Sequence, residues 1–343
     1  MNETSSKELA REQNIYTYDV LQEIAQFLMT RTKIKPKVGI ILGTGLGPVA
    51  DLMTDRTIIP YQDIPHFPLS TTPGHQGELV FGTLGTVPVI CMKGRFHFFE
   101  GYPAWQCAMP IRVMKLLGVT YLIASNAAGA LKEGYKVGDI MLIKDHINLL
   151  GMMGNSPLRG VNDERWATKR NVRSLEGRRV VNDERWATNR NVRSSEGRGV
   201  VNDERWATNR NVRFGVRFPP MNRAYDKSLL ETAKQVAREM SIELDVHEGV
   251  YVCVGGPQFE TIAEVNLLKI LGCMSTVHEV VTAQHCGIRV FAFSIITNLC
   301  VIDYKSLEQA DHVEVLSSAR DQEYVLKKFV SRMVGHIGEL IQT

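Results

Sequence analysis

Short apolar runs rich in β-branched residues alternate with stretches of helical periodicity along most of the chain. Runs this apolar are typical of strands buried on both faces of a sheet. They predict strands at residues 37–43, 86–92, 119–126, 139–145, 248–254 and 289–297. The periodicity predicts helices at about 17–32, 103–117, 225–242, 260–271 and 313–341. Alternation of this kind predicts a single α/β domain over residues 16–343, after a flexible segment at 1–15.

A polar repeat interrupts this pattern. The stretch VNDERWATNRNVR begins at Val181 and again at Val201, and a near copy with Lys169 begins at Val161, so the period is 20 residues. Stacked repeats normally bury a shared core, but these units offer one Trp each, which is too little apolar surface for a solenoid. We therefore predict a low-complexity surface insertion at about 161–213.

Charge and cysteine usage narrow the classes of function. The formal net charge is +3, but residues 161–213 hold 13 Lys and Arg against 8 Asp and Glu, a net of +5, which leaves 3 − 5 = −2 for the rest. The basic excess thus lies in the repeat. Six scattered cysteines without a CxxC pair predict reduced thiols in a cytoplasmic protein and no metal site. No apolar run approaches the ~18 residues that span a bilayer, so we expect no membrane association.

The first candidate for chemistry is a glycine-rich turn after the first predicted strand, ILGTGLGPVAD at 41–51. Bare backbone amides ahead of a helix suit an oxyanion or phosphate. The spacing GxGxG differs from the GxGxxG of dinucleotide-binding folds, and no acidic ribose partner in a clear βαβ unit accompanies it, which argues against a dinucleotide enzyme. A plain tight turn explains the glycines equally well.

The second candidate is a pair of basic side chains after another predicted strand. Arg95 and His97 lie two residues apart, and His75 lies upstream. The planar guanidinium of Arg suits phosphate oxygens. Taken singly, Arg95 also fits a surface ion pair with Glu100, and each histidine fits an ordinary core position.

Two further motifs place small or acidic residues at the ends of elements. SNAAGAL at 125–131 allows backbone amides to approach a ligand, or allows close packing. In GGPQFETIAE at 255–264, Pro257 and Thr261 also fit a simple helix start, which would leave Glu260 as an N-terminal charge.

In combination and order these motifs carry a resemblance. From about Tyr16 to Val334, apart from the insertion, the chain resembles the trimeric purine nucleoside phosphorylases that prefer 6-oxopurines. The motifs that carry it are ILGTGLG, PGHQGELVFG, GRFHFFEGYP, SNAAGAL, VGDIMLIKDHINL, NSPLRG, GGPQFETIAE, MSTVHEV, AQHCGIRVFAFSIITN and ADHVEVL. The resemblance implies an α/β domain around a mixed sheet with a barrel-like portion, a homotrimer, and purine salvage by phosphorolysis of inosine, guanosine and their deoxy forms.

The resemblance also implies roles for individual residues, with inorganic phosphate as co-substrate and no other cofactor. The implied phosphate ligands are Thr44, His75, Arg95, His97, the amide of Ala127 and Ser275. The implied nucleoside contacts are Phe99, Phe259, Glu260, Met274, Asn298 and His312. Glu260, Asn298 and His97 are the implied catalytic residues. An Asn at 298 can donate to a 6-oxo acceptor, whereas an Asp would accept from a 6-amino group.

The chain departs from the family pattern at four places. Phe99 stands where a tyrosine commonly binds the ribose 3′-hydroxyl, His278 replaces a usual proline, and Glu78 stands where a basic residue is common. About four residues are missing between Gly272 and Met274, and a strand shortened by four loses roughly 13 Å of reach. The shortened strand therefore puts the positions of Met274 and Ser275 in question.

The insertion separates Arg165 from Phe214, which adjoin in the family pattern, by the 48 residues 166–213. Two alternatives to an active phosphorylase stay open: a nucleoside-binding paralogue that no longer turns over, and an anion- or nucleic-acid-binding role for the basic insertion. The mixed charge of the insertion argues against the latter, so we expect no nucleic-acid partner.

Overall fold

A nine-stranded mixed sheet forms the centre of the described part of the protein, in the order β2-β3-β4-β1-β5-β9-β6-β7-β8. The computed structural model describes residues 16–43, 45–72, 75–131, 134–159, 214–268, 272–273, 276–306 and 311–342. The strands are β1 (Val38–Leu42), β2 (Thr54–Pro60), β3 (Glu78–Leu84), β4 (Val87–Lys93), β5 (Tyr121–Ala130), β6 (Ile140–Asn148), β7 (Val246–Cys253), β8 (Gly272–Cys273) and β9 (Arg289–Leu299).

The predicted fold class is confirmed: this is a mixed sheet flanked by helices. β1 pairs in parallel with β4 and β5, and β5 pairs in parallel with β9, whereas β6 runs antiparallel to β9. β8 pairs with β7 and also comes back beside β5. The strands from β5 to β8 therefore curl round, which gives the barrel-like portion.

Helices cover both the open and the curled parts of the sheet. They are α1 (Tyr18–Arg31), α2 (Ala104–Cys107), α3 (Met109–Leu116), α4 (Leu149–Met152), α5 (Lys227–Glu239), α6 (Ile262–Leu268), α7 (Val277–His285), α8 (His312–Asp321) and α9 (Glu323–Gln342). None of the helices in the described ranges is long and apolar enough to cross a bilayer.

Local sequence explains where these helices begin and which face they bury. Asp226 caps α5 by accepting the amides of Ser228 at 2.9 Å and Leu229 at 3.3 Å. The buried face of α9 is formed by apolar residues at helical spacing, beginning with Leu326, Phe329 and Val330. Phe329 packs against Phe291 and Phe293 of the sheet. The core thus lies between α9 and the sheet.

The predicted elements differ from the structure in detail. The predicted helix at 103–117 is two helices, because Pro110 opens α3 and has no amide hydrogen to continue α2. The predicted helix at 313–341 is likewise divided, into α8 and α9. The glycine-rich turn leads into a 3₁₀ helix, Gly47–Leu52, rather than an α-helix.

The chain separates into two units, residues 1–159 with 220–343 and residues 160–219. Within 214–219, the Arg217 guanidinium lies over the Phe218 ring, 5.8 Å from its centroid. The predicted insertion at 161–213 and the predicted flexible segment at 1–15 lie outside the described residues, so both stay predictions.

Candidate active site

The candidate residues collect where parallel strands end. β4, β1, β5 and β9 are consecutive and parallel, so their carboxyl ends meet at one edge of the sheet. The glycine-rich turn follows β1, and Arg95 and His97 follow β4, while Ala127 and Asn298 lie near the ends of β5 and β9. Ligand sites of α/β sheets form at this kind of edge.

Three basic side chains form one group at this edge. Arg95 and His97 are 3% and 8% exposed, and His75 is half-buried. The rings of His75 and His97 stack with centroids 5.0 Å apart, and Nδ1 of His75 lies 3.3 Å from both the backbone N and O of Arg95. Two segments separated by some 20 residues are thereby held together.

Gly94 makes this approach possible. Its φ is +105°, and a Cβ there would lie 2.9 Å from the Cβ of His75. Any side chain would strain the backbone and push away the His75 segment. The glycine between Lys93 and Arg95 thus sets the contact between the two segments.

Glu100 fixes the orientation of His97. One carboxylate oxygen accepts from the backbone N of His97 at 2.9 Å and lies 2.8 Å from its Nδ1, so Nδ1 carries the hydrogen. The other oxygen accepts from the N and Oγ1 of Thr71 at 2.7 and 2.6 Å. Although burial opposes it, these hydrogen bonds lower the pKa of Glu100 to about 2. A neutral His97 therefore keeps Nε2 as a proton acceptor.

Both histidines are uncharged at neutral pH. Burial, and after it the neighbouring His97 and Arg95, lower the pKa of His75 to about 4. Burial likewise lowers the pKa of His97, against the opposing effect of Glu100. The site can therefore take up protons when an anion enters.

Arg95 does not pair with Glu100, which was the alternative left open by the sequence. Its Nε donates to Oε1 of Glu279 at 3.0 Å and its Nη2 donates to Oε2 at 3.3 Å. Both side chains are almost fully buried, 3% and 1% exposed. This bidentate pair fixes the plane of the guanidinium and joins the end of β4 to α7.

Phe99 connects these residues to the segment that carries Phe259 and Glu260. Its ring stacks on His97 with centroids 4.5 Å apart, and a Cβ at Gly256 would lie 3.4 Å from its Cδ1. Phe99 is 38% exposed and Phe259 39% exposed. Two large aromatic faces are therefore open to a ligand on this side of the protein.

Glu260 lies just outside α6 and is not part of its cap. Thr261 and Glu264 form the cap, since the Thr261 N donates to Glu264 at 2.7 Å and the Glu264 N donates to Thr261 Oγ1 at 3.2 Å. The helix-start interpretation of this motif is thus correct for Thr261. Burial raises the pKa of Glu260, and the charge of Glu264 adds to this effect.

Asn298, Gly129 and Cys300 lie together, and Cys300 is within electrostatic reach of Glu260. The sheet register shifts at Gly129, and a Cβ there would lie 3.1 Å from Asn298 Nδ2 and 2.7 Å from Cys300 Sγ. Oδ1 of Asn298 accepts from Thr297 Oγ1 at 3.4 Å, and the residue is 9% exposed. After burial, the Glu260 carboxylate is what raises the pKa of Cys300, to about 11. The acid and the amide therefore belong to one neighbourhood.

Asn126 is a further polar group of this edge that the sequence analysis did not single out. It is 3% exposed, its Nδ2 donates to Thr276 Oγ1 at 2.9 Å, and its Oδ1 has no hydrogen-bond partner among the described residues. Ala127 follows it in β5, half-buried and in register with Ile295. An asparagine in an otherwise apolar buried strand was the signal available in the sequence.

Glu279 was also missed, and its signal was weaker. It lies in MSTVHEV, where nothing distinguishes it from a solvent-exposed helix residue.

Glu78, the acidic residue at a commonly basic position, has a structural account: it forms a cross-strand ion pair with Lys93 at 3.1 Å.

Several predicted site residues cannot be placed. Thr44, Met274 and Ser275 lie outside the described residues, and His312 is described only as the first residue of α8. The predicted consequence of the shortened strand before Met274 is therefore untested. Within the described ranges, no group of three or more His, Cys, Asp or Glu side chains could hold a metal ion.

Comparison with known proteins defines the class. The model of the phosphorylase superfamily matches residues 37–334. Purine nucleoside phosphorylase of Anopheles gambiae is 48% identical over 94% of this chain and 79% of that protein, and the enzyme of Bos taurus is 41% identical over 94% and 97%. The crystal structure of the Schistosoma mansoni enzyme with inosine matches with a TM-score of 0.76 and 36% identity, over 94% of this chain and 98% of that one.

The same Schistosoma fold has been solved with hypoxanthine, at a TM-score of 0.76 and 37% identity over 93% of this chain and 97% of that one. The chain therefore belongs to the phosphorylase superfamily and, within it, to the purine nucleoside phosphorylases.

Proposed function

We propose that the protein cleaves inosine, guanosine and their deoxy forms with inorganic phosphate, yielding the free base and (deoxy)ribose 1-phosphate in purine salvage. One observation carries this proposal: the group of Arg95, His97 and His75 is linked through Phe99 to the segment bearing Phe259 and Glu260. The proposed anion site and the proposed base site therefore lie on adjoining segments, as a nucleoside that bridges them requires.

The phosphate has two tasks in this reaction. Breaking C1′–N9 develops positive charge on the sugar, and the anion stabilises that charge before one of its oxygens forms the new bond to C1′. Arg95 presents a guanidinium held in plane by Glu279, and His97 presents Nε2 as an acceptor for a phosphate hydroxyl. Thr44, His75, the amide of Ala127 and Ser275 complete the proposed set of phosphate ligands.

The base leaves with the electron pair of the C1′–N9 bond. Glu260 would accept the N1 hydrogen, and the Asn298 amide would serve O6 and N7 as charge enters the imidazole ring. The burial that raises the pKa of Glu260 also strengthens its hydrogen bond to the base. Phe259 stacks on the purine in this arrangement, Met274 and Phe99 lie against the ribose, and His312 meets the 5′-hydroxyl.

The decisive experiment follows base release from inosine by ultraviolet absorbance, with and without phosphate. We expect release that requires phosphate and yields ribose 1-phosphate in equal amount. Asn298→Asp should lower kcat/KM for inosine at least about tenfold while sparing adenosine, because the carboxylate cannot donate to O6.

Other results would identify the alternatives. Hypoxanthine binding without base release would identify the inert paralogue, and release without phosphate would identify a hydrolase. Salt-sensitive RNA retention by the full chain would instead support the insertion as a binding module; we expect none.

We further propose a homotrimer in the cytoplasm, with phosphate as the only co-substrate and no cofactor. Met152 and Met153 support an interface, since they are 75% and 71% exposed at the end of α4. Cys91, Cys107, Cys253, Cys286 and Cys300 are free thiols, which supports a reducing compartment. Light scattering on the purified chain tests the trimer, and a mass of one protomer would contradict it.

A further inference from the structure

Counted with the two carboxylates that contact them, the residues proposed to hold phosphate carry more negative than positive charge. Arg95 is the one cation of this set among the described residues, and the carboxylates are Glu279, which pairs with Arg95, and Glu100, which pairs with His97. His75 and His97 are neutral near pH 7 because burial lowers the pKa of each. An entering phosphate dianion therefore needs compensating positive charge, and protons on imidazoles are the available source.

His278 is a third imidazole at this place, in the first turn of α7 and directly before Glu279. Its side chain is 7% exposed, and its Nε2 lies 4.0 Å from Oε1 of Glu279. That separation is too long for a hydrogen bond, and no described protein atom bonds to Nε2. A buried polar atom without a partner requires an explanation.

Oε1 of Glu279 is the atom at which the two basic groups meet. It accepts from Arg95 Nε at 3.0 Å, while His278 Nε2 stands 4.0 Å away. When a phosphate oxygen draws on the guanidinium, this carboxylate loses part of its pairing within a buried site. A shift of about 1 Å brings His278 into hydrogen-bond range of the same oxygen.

We propose that His278 is a positioning residue for phosphate: when phosphate occupies Arg95, Nε2 of His278 takes up and keeps a proton from solvent, and the resulting N–H donates a hydrogen bond to Glu279 Oε1. Phosphate binding is then coupled to proton uptake at a position outside the direct phosphate ligands. The inference rests on the proposed function, since it assumes that Arg95 binds phosphate.

The charges around His278 agree with this coupling. Burial lowers the pKa of His278 to about 4; Arg95 and His97 oppose its protonation, and Glu279 favours it. A bound dianion adds negative charge beside these groups and raises that pKa. His278 is therefore neutral without phosphate and becomes charged with it.

The surrounding elements supply few competing groups. Cys107 of α2 is within electrostatic reach of Glu279 and stays a neutral thiol, because burial raises its pKa. The other titratable side chains of α7, and of the α3 and β9 elements that pack against it, are His285, Arg112, Lys115 and Arg289.

The test compares wild type with His278→Gln and His278→Leu between pH 5.5 and 8.5. Gln keeps an amide donor toward Glu279 but cannot titrate, and Leu removes the donor. We expect His278→Leu to raise the KM for phosphate about tenfold near pH 6, the loss of one charge-assisted hydrogen bond. The KM for inosine and kcat at saturating phosphate should change less than about twofold, and His278→Gln should lie between.

The ratio of the phosphate KM of each variant to that of wild type should fall toward one as pH rises. Ionisation of phosphate itself cancels in this ratio. Calorimetric titration with phosphate at pH 7, in two buffers of different ionisation enthalpy, should show more protons taken up by wild type than by His278→Gln. Unchanged thermal unfolding of His278→Gln shows that the variant is folded.

Equal proton uptake by wild type and His278→Gln, or a KM ratio that does not vary with pH, overturns this inference while leaving the proposed function intact. If wild type neither binds phosphate nor cleaves inosine, the proposed function fails and the inference fails with it. If His278→Leu does not fold, the calorimetry on His278→Gln decides alone.

Discussion

At the scale of single residues, Phe99 supplies a ring face without a hydroxyl. Its ring stacks on His97, and the residue is 38% exposed. A hydroxyl added to the ring therefore lies close to the residues proposed to bind phosphate and is accessible to a ligand. We expect Phe99→Tyr to lower the KM for inosine by about fivefold, the effect of one hydrogen bond of about 1 kcal/mol to the ribose. Steady-state kinetics at saturating phosphate measure it.

The substrate itself provides the control for this prediction. With 3′-deoxyinosine, Phe99→Tyr should bring no gain, because the acceptor is gone. An equal gain with both nucleosides would show that the phenol acts elsewhere.

Cys300 offers a chemical probe of the base site. Its thiol lies beside Gly129 and Asn298 and is half-buried, whereas Cys91, Cys107 and Cys286 are buried. With the pKa of Cys300 raised to about 11, alkylation should be slow at pH 7 and accelerate about tenfold per pH unit. We expect N-ethylmaleimide to inactivate the enzyme and hypoxanthine to slow that inactivation, as measured by residual activity.

Cys300→Ala is the matched variant, and its remaining activity should resist the reagent. Inactivation of this variant at the wild-type rate, or a rate unaffected by hypoxanthine, would place Cys300 outside the base site.

Sequence reasoning identified part of the candidate site at this scale. Arg95, His97 and His75 were identified from residue type and spacing, and the structure brings them together. Glu279 was missed because its partner is 184 residues away along the chain, and no local pattern encodes such a pair. The contact between Phe99 and Gly256 likewise arises only when the chain folds and could not be read from local sequence.

At the scale of elements, the ion pair between Arg95 and Glu279 joins the end of β4 to α7. Glu279→Gln leaves the guanidinium buried without its counter-charge, which should cost about 3–5 kcal/mol of unfolding free energy. Asp51→Asn is the control, because the ion pair of Asp51 with Arg56 is exposed: the two side chains are 57% and 40% accessible. This substitution should lower the free energy of unfolding by less than about 1 kcal/mol. Urea denaturation measures both, and equal losses would show that the buried pair has no special weight.

The six predicted strands all exist, because each contains a short apolar run. The runs of β1, β4, β5 and β9 are buried along almost their whole length, whereas β6 and β7 are buried over only part of theirs. The edge strand β2 was missed: it begins with the exposed polar residues of TDRT and shows no such run. α7 was missed for the opposite reason, since eight of its nine residues are buried and no polar face marks the helical period.

At the scale of the whole molecule, stability should depend on pH through buried histidines. The pKa values of His75 and His278 are about 4 when folded, against 6.5 for an unperturbed imidazole. Between pH 6.5 and 4 the unfolded chain binds protons that the folded chain excludes, so the free energy of unfolding falls as pH falls. Each group contributes a slope of up to about 1.4 kcal/mol per pH unit.

Denaturation in urea at several pH values between 4 and 6.5 measures how the free energy of unfolding changes with pH. His278→Gln should remove about half of the pH dependence that His75 and His278 contribute together. Glu100 acts in a lower window: with a folded pKa of about 2, its contribution is complete above pH 4.5 and is lost progressively as the pH falls from 4.5 to about 2. A slope unchanged in His278→Gln would show that this imidazole is already protonated in the folded protein.

Much of the architecture was predictable from the order of its motifs, because several of them follow the parallel strands β1, β4, β5 and β9, whose carboxyl ends the sheet brings to one edge. The repeat was recognised as foreign to the α/β pattern, since it lacks the apolar period of either element. Its effect on assembly depends on contacts between copies of the chain, which no local sequence pattern specifies.

The three stacked rings of His75, His97 and Phe99 have a spectroscopic consequence. Their centroids are 5.0 and 4.5 Å apart along the stack, with His97 in the middle. Circulating π electrons on both sides shield the carbon-bound protons of the central imidazole, so its nuclear magnetic resonance signals lie upfield of those of a solvent-exposed histidine. His97 is thereby a built-in reporter, and displacement of either outer ring will register as a return of those signals downfield.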